Sequence, residues 1–437
     1  MFPAFRYHLW TIGCQMNEAD ATRAAALLET VGGAPAPDAP SADLLLLNTC
    51  VVRQQAEDKI HSRLRYVAEL KRRRPALLVV LMGCMVGANP DRLPALRSQY
   101  PFVDLFLPPS DLAPLRDLLS TAYPASAPPV PEDLPVLPPS APASTVLAHL
   151  PAVLGCSHAC AYCIIPYRRG PERSRPSAVI LREARALAAR GVREITLLGQ
   201  IIDRYGLDLP GELRLSALLR AVAAVPGIRR VRFLTGHPNW FTPDLLDAAA
   251  DTPAICPYFE IPAQAGSDRV LAAMRRGYTA DDYRRLVDAI RARLPSAGLS
   301  TDIIVGFPGE TDSDFAETVR LMRDVRPDMM RIAKYSPRPL TLSARTMPDD
   351  VPPDVKETRR LELESLLRDI LTEKHAAWTG RTVEILVESR EPNGRLRGRT
   401  PDAKLVFVEG APPTVHPGDL LSARIRWAGP FSMIADA

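Results

Sequence analysis

The sequence lacks the marks of a membrane-spanning or secreted protein. No stretch approaches the roughly twenty apolar residues that a membrane-spanning helix needs. The opening residues, MFPAFRYHLW, hold no long apolar run of the kind found in secretory signals. The formal net charge is only +4 over 437 residues, which permits an anionic partner without requiring one. We therefore expect a cytoplasmic protein that makes no membrane contact.

Cysteine is also scarce, with seven in the chain. An odd number of widely spaced cysteines in a long intracellular chain argues against a disulfide framework. Metal-binding or catalytic thiols are the favoured interpretation. Cys256, which begins the segment CPYFEIPA, has no partner thiol nearby in the sequence and is interpreted as a packed core residue.

Three short apolar runs near the amino terminus each end in a cysteine. RYHLWTIGC ends in Cys14, ADLLLLNTC in Cys50 and ALLVVLMGC in Cys84. Helical patterns over 19–31 and 57–73 separate them, and this strand–helix–strand alternation predicts a parallel sheet. Ligands of such sheets bind beyond the carboxyl ends of the strands. Three cysteines at that position predict one shared site rather than three core residues.

The rest of the chain divides at a proline-rich segment, 123–144, which predicts a semi-rigid linker after a first domain at 1–122. Six strand-like segments separated by helical stretches in 145–375 predict a partial TIM-type (β/α)6 barrel. Short strands separated by Gly, Pro and Asn in 376–437 predict a small all-β barrel. The predicted fold class is α/β, with a parallel-sheet domain, a central partial barrel and a terminal β-barrel.

The first predicted barrel strand runs into GCSHACAYC, where Cys156, Cys160 and Cys163 form an uninterrupted C-x3-C-x2-C. Zinc sites usually combine separated pairs of ligands, whereas three thiols on one short loop suit three irons of a cubane cluster. The fourth iron then has no protein ligand, and an open metal position is typical of catalysis. His158 inside the loop is either a fourth ligand or a simple loop residue.

This loop resembles the radical S-adenosylmethionine (SAM) superfamily. Together with TIGCQMN, LLLLNTC and VVLMGC, the longer segment GCSHACAYCIIPYRRGPERSRP resembles the methylthiotransferases of that superfamily. TDIIVGFPGET and YSPRP are also similar to family segments. The resemblance implies two [4Fe–4S] clusters, one on each cysteine triad, with SAM at the open iron of the barrel cluster. It also implies a TRAM module, an RNA-binding β-barrel, as the last domain.

Members of this family modify either tRNA adenosines or an aspartate of a ribosomal protein. IIPYRRGPERSRP and GRTPDAKLVFVEG are most similar to the tRNA enzymes. The implied reaction places a methylthio group on C2 of an N6-dimethylallyl-adenosine beside the anticodon. The implied partners are the tRNA anticodon stem-loop and an electron donor such as flavodoxin or ferredoxin, and a monomer is expected. The alternatives are the ribosomal-protein enzyme and a non-enzymatic RNA-binding protein with structural zinc.

Further contacts are expected around the clusters. The residues expected to contact SAM lie in the cluster loop and at strand ends: Tyr162, Gln200, Gln264, Asp302 and Gly306. The residues expected to contact phosphate are cations after the cluster loop or around one turn of the last domain: Arg168, Arg169, Arg173, Arg397, Arg399 and Lys404. Salt bridges on the surface are the alternative role for any one of these cations.

Several positions depart from the family pattern. The family usually has His at Glu260 and Gly at Leu340. It tends to have GQNVN where this chain has GQIID at 199–203, and TSHP where this chain has TGHP at 235–238. All lie at predicted strand ends facing the barrel mouth. The departures are therefore expected to affect the substrate base or single SAM contacts, and not the clusters.

Overall fold

The first domain is a five-stranded parallel sheet with the strand order β2-β1-β3-β4-β5. The structure is a computed structural model that describes residues 5–52, 54–123 and 135–437. The strands are β1 (Phe5–Thr11), β2 (Gly33–Pro35), β3 (Leu44–Thr49), β4 (Leu78–Gly83) and β5 (Leu105–Leu107). The helices are α1 (Gln15–Thr30), α2 (Gln54–Arg73), α3 (Leu93–Gln99) and α4 (Ala113–Ala122), with a 3-10 turn at Pro90–Arg92.

Both faces of this sheet are covered, which explains why its central strands are continuous apolar runs. Every residue of β3 is buried, and one apolar cluster packs on each side of the sheet. The three strands that end in cysteines were therefore visible in the sequence, and the prediction of a parallel sheet is confirmed. The edge strands β2 and β5 have three residues each, too few for a periodic pattern.

The proline-rich segment is described only in its second half, and 124–134 lies outside the described residues. Val136 and Leu137 are buried in the core of the central barrel. Arg190 donates hydrogen bonds to the carbonyl oxygens of Leu137 and Pro138, each at 2.9 Å. The Ser140 backbone N–H donates to a carboxylate oxygen of Glu29 at 2.7 Å. This half of the segment is thus docked on both neighbouring domains.

The central domain is the expected partial barrel. Its strands are β6 (Leu147–Pro151), β7 (Val153–Leu154), β8 (Arg173–Ser174), β9 (Glu194–Leu198), β10 (Arg230–Leu234), β11 (Tyr258–Glu260), β12 (Gly298–Val305) and β13 (Met329–Lys334). Its helices are α5 (Ile165–Arg169), α6 (Ser177–Ala189), α7 (Leu215–Ala223), α8 (Pro243–Asp251), α9 (Asp268–Ala273), α10 (Ala280–Arg293), α11 (Asp312–Val325), α12 (Leu342–Thr346) and α13 (Pro353–Ala376), with a 3-10 turn at Ile202–Arg204.

The six predicted barrel strands form two parallel three-stranded sheets, β10-β9-β6 and β11-β12-β13. Hydrogen bonds from Val231 to Ala254 and from Gly236 to Glu260, at 2.7 and 2.8 Å, join β10 to the chain around β11. The strands therefore continue as one open barrel, and β7 pairs with β8 outside it. One large apolar core fills the barrel and the space under its helices.

The last domain is a closed barrel in the order β14-β15-β16-β18-β17. Its strands are β14 (Thr382–Arg390), β15 (Leu396–Arg399), β16 (Leu405–Glu409), β17 (Leu420–Ala428) and β18 (Met433–Asp436). The sequence indicated the first four. It did not indicate β18, which has four residues and closes the barrel by pairing with both β16 and β17. None of the helices in the described residues is both long enough and apolar enough to span a bilayer.

Candidate active site

The three amino-terminal cysteines lie together at one end of the first sheet. Cys14 precedes α1 after β1, and Cys50 and Cys84 directly follow β3 and β4. Strands β1 and β3 are neighbours whose outer partners lie on opposite sides, so a ligand crevice opens between their carboxyl ends. The Cys50 thiol interacts electrostatically with the thiols of both Cys84 and Cys14. The three sulfur atoms therefore face one site.

Buried amides hold these strand ends in place. The Asn17 side chain donates to Asn48 Oδ1 at 3.2 Å and to the Thr49 carbonyl oxygen at 3.0 Å. Asn48 Nδ2 donates in return to the Asn17 carbonyl oxygen at 2.6 Å. Gly83 has φ +97°, and a Cβ on it would lie 2.5 Å from Asn48 Oδ1. Glycine is therefore required just before Cys84.

Arg169 lies in this amino-terminal site and not on an RNA-facing surface, which corrects the expectation that it contacts phosphate. Its side chain is 3% exposed and forms an ion pair with Asp20 at 3.0 Å. It also donates to Asn17 Oδ1 at 3.3 Å. Its charge lowers the pKa of the Cys84 thiol against the larger raising effect of burial, and so favours the thiolate that a metal would bind. Helix α5 thus carries an arginine from the barrel domain into the first domain.

The second triad lies on the loop after β7. The Cys156 N–H donates to the Gly170 carbonyl oxygen at 3.0 Å, and the Cys163 N–H donates to the Cys160 carbonyl oxygen at 3.1 Å. Burial, together with the neighbouring Cys160 thiol, raises the pKa of the Cys163 thiol to about 12. Burial likewise raises the pKa of Cys156 to about 11. At neutral pH these thiols are protonated unless a metal takes the place of the proton.

Arg276, which sequence reasoning missed, contacts this triad directly. It donates to Cys160 Sγ at 3.2 Å, to the Tyr278 hydroxyl at 2.9 Å and to the Pro262 carbonyl oxygen at 3.2 Å. The residue is 4% exposed. Arg276 lies in a turn after α9, in a run of two arginines. No periodicity or spacing signals which of the two points inward.

A chamber of aromatic and polar side chains borders the same loop. The His158 ring lies 4.8 Å from that of His237 and 5.2 Å from that of Trp240. The Asn239 N–H donates to His237 Nδ1 at 3.3 Å, which leaves Nε2 as the protonated nitrogen of the neutral ring. Within the described residues, His158 Nε2, His237 Nε2 and Asp203 Oδ1 are buried without a hydrogen-bond partner. Orphaned buried polar atoms of this kind fit a bound polar ligand such as SAM.

The cysteine geometry fits cubane clusters better than single ions. In the parts of the chain that the structure describes, no three His, Cys, Asp or Glu side chains converge closely enough to bind one metal ion. A structural zinc ion needs its ligands at one point, whereas each thiolate of a cubane binds a different iron. Two triads of neighbouring thiols, each beside a buried arginine, fit the ligands of such cubanes.

The residues expected to contact SAM lie in the cluster loop and at the carboxyl ends of the barrel strands. Gln200 is half-buried at the end of β9, and Tyr162 packs near Met274 under the cluster loop. Asp302 is held by Arg331, 3.4 Å away. At Gly306 the Lys356 stem fills the space where a Cβ would lie, so glycine provides room for this lysine of α13. Contact between the Gly306 backbone and SAM stays a prediction.

Gln264 adopts a backbone conformation that is unusual for a residue with a side chain. Its φ is +71°. Its N–H donates to the Asp302 carbonyl oxygen at 2.8 Å, and its carbonyl oxygen accepts from the Ile304 N–H at 2.9 Å. These two bonds hold the segment after β11 beside β12. Such strain at a strand end next to a cluster loop is typical of functional sites.

Two departures from the family pattern find local compensation. Glu260 is buried and pairs with Arg331 at 2.5 Å, so its charge is neutralised inside the barrel. Ile201 is 5% exposed and belongs to a small apolar cluster with Cys156 and Cys163. At Glu260, an ion pair stands where the family pattern has an imidazole. At Ile201, an apolar side chain packs against the cluster loop.

The remaining cations expected to contact RNA differ in availability. Arg173 is exposed in β8. Arg168 is 7% exposed and passes within 3.5 Å of where a Cβ on Gly87 would lie, three residues beyond Cys84. Within the described residues, its Nε and Nη1 atoms have no hydrogen-bond partner. These donors are buried beside Gly87, and contact between Arg168 and phosphate stays a prediction.

The basic turn of the last domain serves a different purpose from the expected one. Lys404 is buried in an ion pair with Asp328 of the barrel domain, which corrects its assignment to RNA. Arg232 donates to the carbonyl oxygens of Thr400 and Pro401 at 3.0 and 2.7 Å. The turn therefore docks the small barrel on the large one. On the same strand, Arg399 pairs with Glu388, and Arg397 lies 3.8 Å from that same carboxylate.

Replacing Leu340 by glycine is expected to raise the free energy of unfolding by about 1 kcal/mol, the cost of a left-handed conformation in an L-residue. Leu340 has φ +81° and is 45% exposed, so little burial is lost on truncation. Urea unfolding measures the change. Leu207, also 45% exposed but outside the set with positive φ, is the matched control. A similar increase in the unfolding free energy of Leu207→Gly would show that the left-handed conformation of Leu340 is not the cause.

Replacing Asp203 by asparagine is expected to change the pH dependence of stability. Burial raises the pKa of Asp203 from 3.8 to about 7. The folded protein thus binds this proton more tightly than the unfolded chain, and the resulting stabilisation is lost as pH rises from about 4 through 7. The free energy of unfolding falls by up to about 4 kcal/mol over this pH range because of Asp203. The Asp203→Asn variant has no titrating group at this position and is expected not to show this fall. Urea unfolding of both proteins at pH 5 and pH 8 measures this effect. If the difference in unfolding free energy between wild type and Asp203→Asn were the same at both pH values, the prediction would be contradicted.

Comparisons with known proteins agree with the three domains. Residues 150–322 match the radical SAM superfamily, 6–107 match the uncharacterized protein family UPF0004, and 377–437 match the TRAM domain. The chain is 45% identical over 432 residues to a tRNA-2-methylthio-N(6)-dimethylallyladenosine synthase of Chloroflexus aurantiacus, covering 98% of this chain and 90% of the relative. It is 41% identical over 431 residues to the Dehalococcoides mccartyi protein of the same name, covering 98% and 97%.

Solved structures show the same fold at low identity. The radical S-adenosylmethionine methyltransferase TsrM from Kitasatospora setae, with cobalamin and a [4Fe–4S] cluster bound, superposes with a TM-score of 0.56. It is 15% identical and the match covers 78% of this chain and 77% of TsrM. The cobalamin-dependent enzyme OxsB, with aqua-cobalamin and S-adenosylmethionine bound, gives 0.51 at 12% identity, covering 83% and 56%. These likenesses establish the fold alone.

Proposed function

This chain belongs to the tRNA-2-methylthio-N(6)-dimethylallyladenosine synthase family of radical SAM proteins, and we propose from that membership that it methylthiolates C2 of an N6-dimethylallyl-adenosine in tRNA. Two cysteine triads, one at the strand ends of the first domain and one on the loop after β7, are the observation that carries the proposal. Two open clusters suit a reaction in which one activates SAM and the other delivers sulfur.

The six triad cysteines hold two [4Fe–4S] clusters in this proposal. Cys156, Cys160 and Cys163 hold the cluster at the barrel mouth. When bound, the two clusters and SAM supply the radical and the sulfur that the unactivated C2–H bond requires. Cys14, Cys50 and Cys84 hold the other cluster.

The chain's own residues orient the reactants and exclude water. The chamber of His158, His237 and Trp240 has orphaned donors for the polar groups of SAM. Gln200 and Gln264 follow β9 and β11, whose carboxyl ends lie at the same mouth on either side of β10. Burial of most of these groups keeps the site dry, which protects a reactive radical from side reactions.

The tRNA partner enters next to α5. Arg173 lies exposed in β8, so this cation holds a phosphate while the target adenine is turned out of the anticodon stem-loop. The protein acts as a monomer and receives electrons from a flavodoxin or ferredoxin. The turn around Lys404 is buried against the barrel domain. Any contact between the last domain and RNA is therefore made by other surfaces of that domain.

Nucleoside mass spectrometry tests the proposed reaction. Chain reconstituted anaerobically with iron and sulfide is incubated with SAM, a reductant and tRNA that carries N6-dimethylallyl-adenosine. The expected product is the 2-methylthio nucleoside, and tRNA carrying unmodified adenosine is the matched control. Product on a ribosomal-protein aspartate alone would replace this proposal by the ribosomal-protein reaction.

Metal analysis tests the cofactor content independently of activity. Two cubane clusters predict about eight iron atoms per chain. If protein purified and reconstituted without oxygen contained zinc and no iron, the enzymatic proposal would be rejected. The remaining interpretation would be an RNA-binding protein with structural zinc.

A further inference from the structure

Each cysteine triad has one buried arginine beside it, and the mechanism proposed above uses neither. Arg276 lies beside Cys160, and Arg169 lies beside Cys84 and Cys14. The two residues are 4% and 9% exposed. An arginine stays charged in proteins, so each of these residues places a permanent positive charge in a dry interior.

The partners of Arg276 indicate that an anion belongs at Cys160. Arg276 donates to the Cys160 sulfur, the Tyr278 hydroxyl and the Pro262 carbonyl oxygen. Within the described residues, Arg276 forms no salt bridge with a carboxylate, and the carboxyl group on which its charge acts is that of Asp203, whose pKa it lowers. A buried charge without a directly paired counter-charge is unfavourable. A thiolate that binds iron at Cys160 would provide the missing negative charge.

Arg169 is arranged differently, because a carboxylate already neutralises part of its charge. Asp20 lies 3.0 Å from its Nη2 atom, and the two side chains are 2% and 3% exposed. Ser110 accepts a hydrogen bond from Nη1 at 3.4 Å and donates one to Asp20 at 2.8 Å. The Arg169 charge still acts on the Cys84 thiol. Its effect on an anion at that triad is therefore expected to be the smaller of the two.

We propose that Arg276 and Arg169 are positioning residues that each raise the reduction potential of the cluster on the neighbouring triad, Arg276 more strongly than Arg169. The proposal rests on the proposed function, which places a cluster on each triad. A reduced cluster carries one more negative charge than an oxidised one, so a buried cation beside its sulfur ligands favours reduction. Hydrogen bonds to cluster sulfurs and local charge are among the factors that set such potentials.

Redox titrations of single-cluster proteins test the proposal. A full-length C14A/C50A/C84A variant retains the barrel triad, and a C156A/C160A/C163A variant retains the amino-terminal triad. Each is reconstituted, titrated anaerobically and followed by electron paramagnetic resonance. Adding Arg276→Met to the first variant is expected to lower the ratio of reduced to oxidised cluster at fixed potential about tenfold, which is about 59 mV for one electron. Arg276→Lys is expected to restore part of the shift.

The two backgrounds serve as controls for each other. Arg276→Met in the variant that keeps only the amino-terminal triad should leave the potential unchanged, and Arg169→Met should shift only that cluster, by less. If Arg276→Met does not bind iron, Arg276→Gln keeps a donor without the charge and takes its place in the titration. An unchanged potential in a variant with four irons, or equal shifts in both backgrounds, overturns the proposal. Failure of the single-cluster proteins themselves to bind iron counts against the proposed function instead.

Discussion

Replacing Cys160 by alanine is expected to abolish both SAM cleavage and methylthiolation. Cys160 lies between the other two thiols of its loop, and its sulfur accepts the hydrogen bond from Arg276. With two thiols left, the barrel cluster loses the ligand at one iron and SAM loses its binding site. Iron content is expected to fall from about eight to about four atoms per chain. SAM cleavage is measured by chromatography of its product 5′-deoxyadenosine. Methylthiolation is measured by mass spectrometry of tRNA nucleosides.

The matched control is Cys256→Ala, the same chemical change at a buried thiol outside both triads. Cys256 is 1% exposed and its backbone N–H bonds to the Val231 carbonyl oxygen, a contact that alanine keeps. Full iron content and retained activity are expected in this variant, with a small loss of stability from the missing sulfur. If Cys160→Ala still cleaved SAM with four irons bound, the barrel triad would not be the site of cleavage.

The parts of the fold that could be predicted from the sequence are those encoded by local patterns. The run Leu44–Leu47 is apolar because both faces of its sheet are covered, so it predicted a strand without any tertiary knowledge. The spacing of Cys156, Cys160 and Cys163 is likewise contained in one loop. The amino-terminal thiols required one further step, the rule that carboxyl ends of parallel strands share an edge.

The parts that could not be predicted depend on how domains pack. Arg169 and Arg173 look alike in the sequence, yet one is buried against a cysteine triad of another domain and the other is exposed. Lys404 lies in a run of charges that resembles an RNA-binding turn, but its counter-charge is Asp328, 76 residues away. The sign of a charge is visible in the sequence, whereas its partner is set by tertiary contacts.

Replacing Cys14 by alanine is expected to stop sulfur insertion while leaving SAM cleavage intact. Cys14 belongs to the first domain, and its thiol bonds to Asn17 Oδ1 at 3.3 Å and not to the barrel loop. It is the exposed member of its triad, so its removal leaves the buried packing around Cys50 and Cys84 in place. The variant should therefore fold, lose about four irons and still bind SAM at the barrel cluster. The same two assays separate the outcomes, because 5′-deoxyadenosine should form without the methylthio nucleoside.

Comparing Cys14→Ala with Cys160→Ala tests whether the barrel triad alone supports SAM cleavage and the amino-terminal triad supports sulfur insertion. If the clusters act separately, only the barrel variant loses SAM cleavage, and both lose the tRNA product. Loss of SAM cleavage in a folded Cys14→Ala protein with four irons would mean that the amino-terminal triad also supports the first step. Arg169 offers a physical route for such coupling, because α5 begins two residues after Cys163 and ends in the amino-terminal site. Intact cleavage in Cys14→Ala would show that this link positions the two clusters without making either depend on the other.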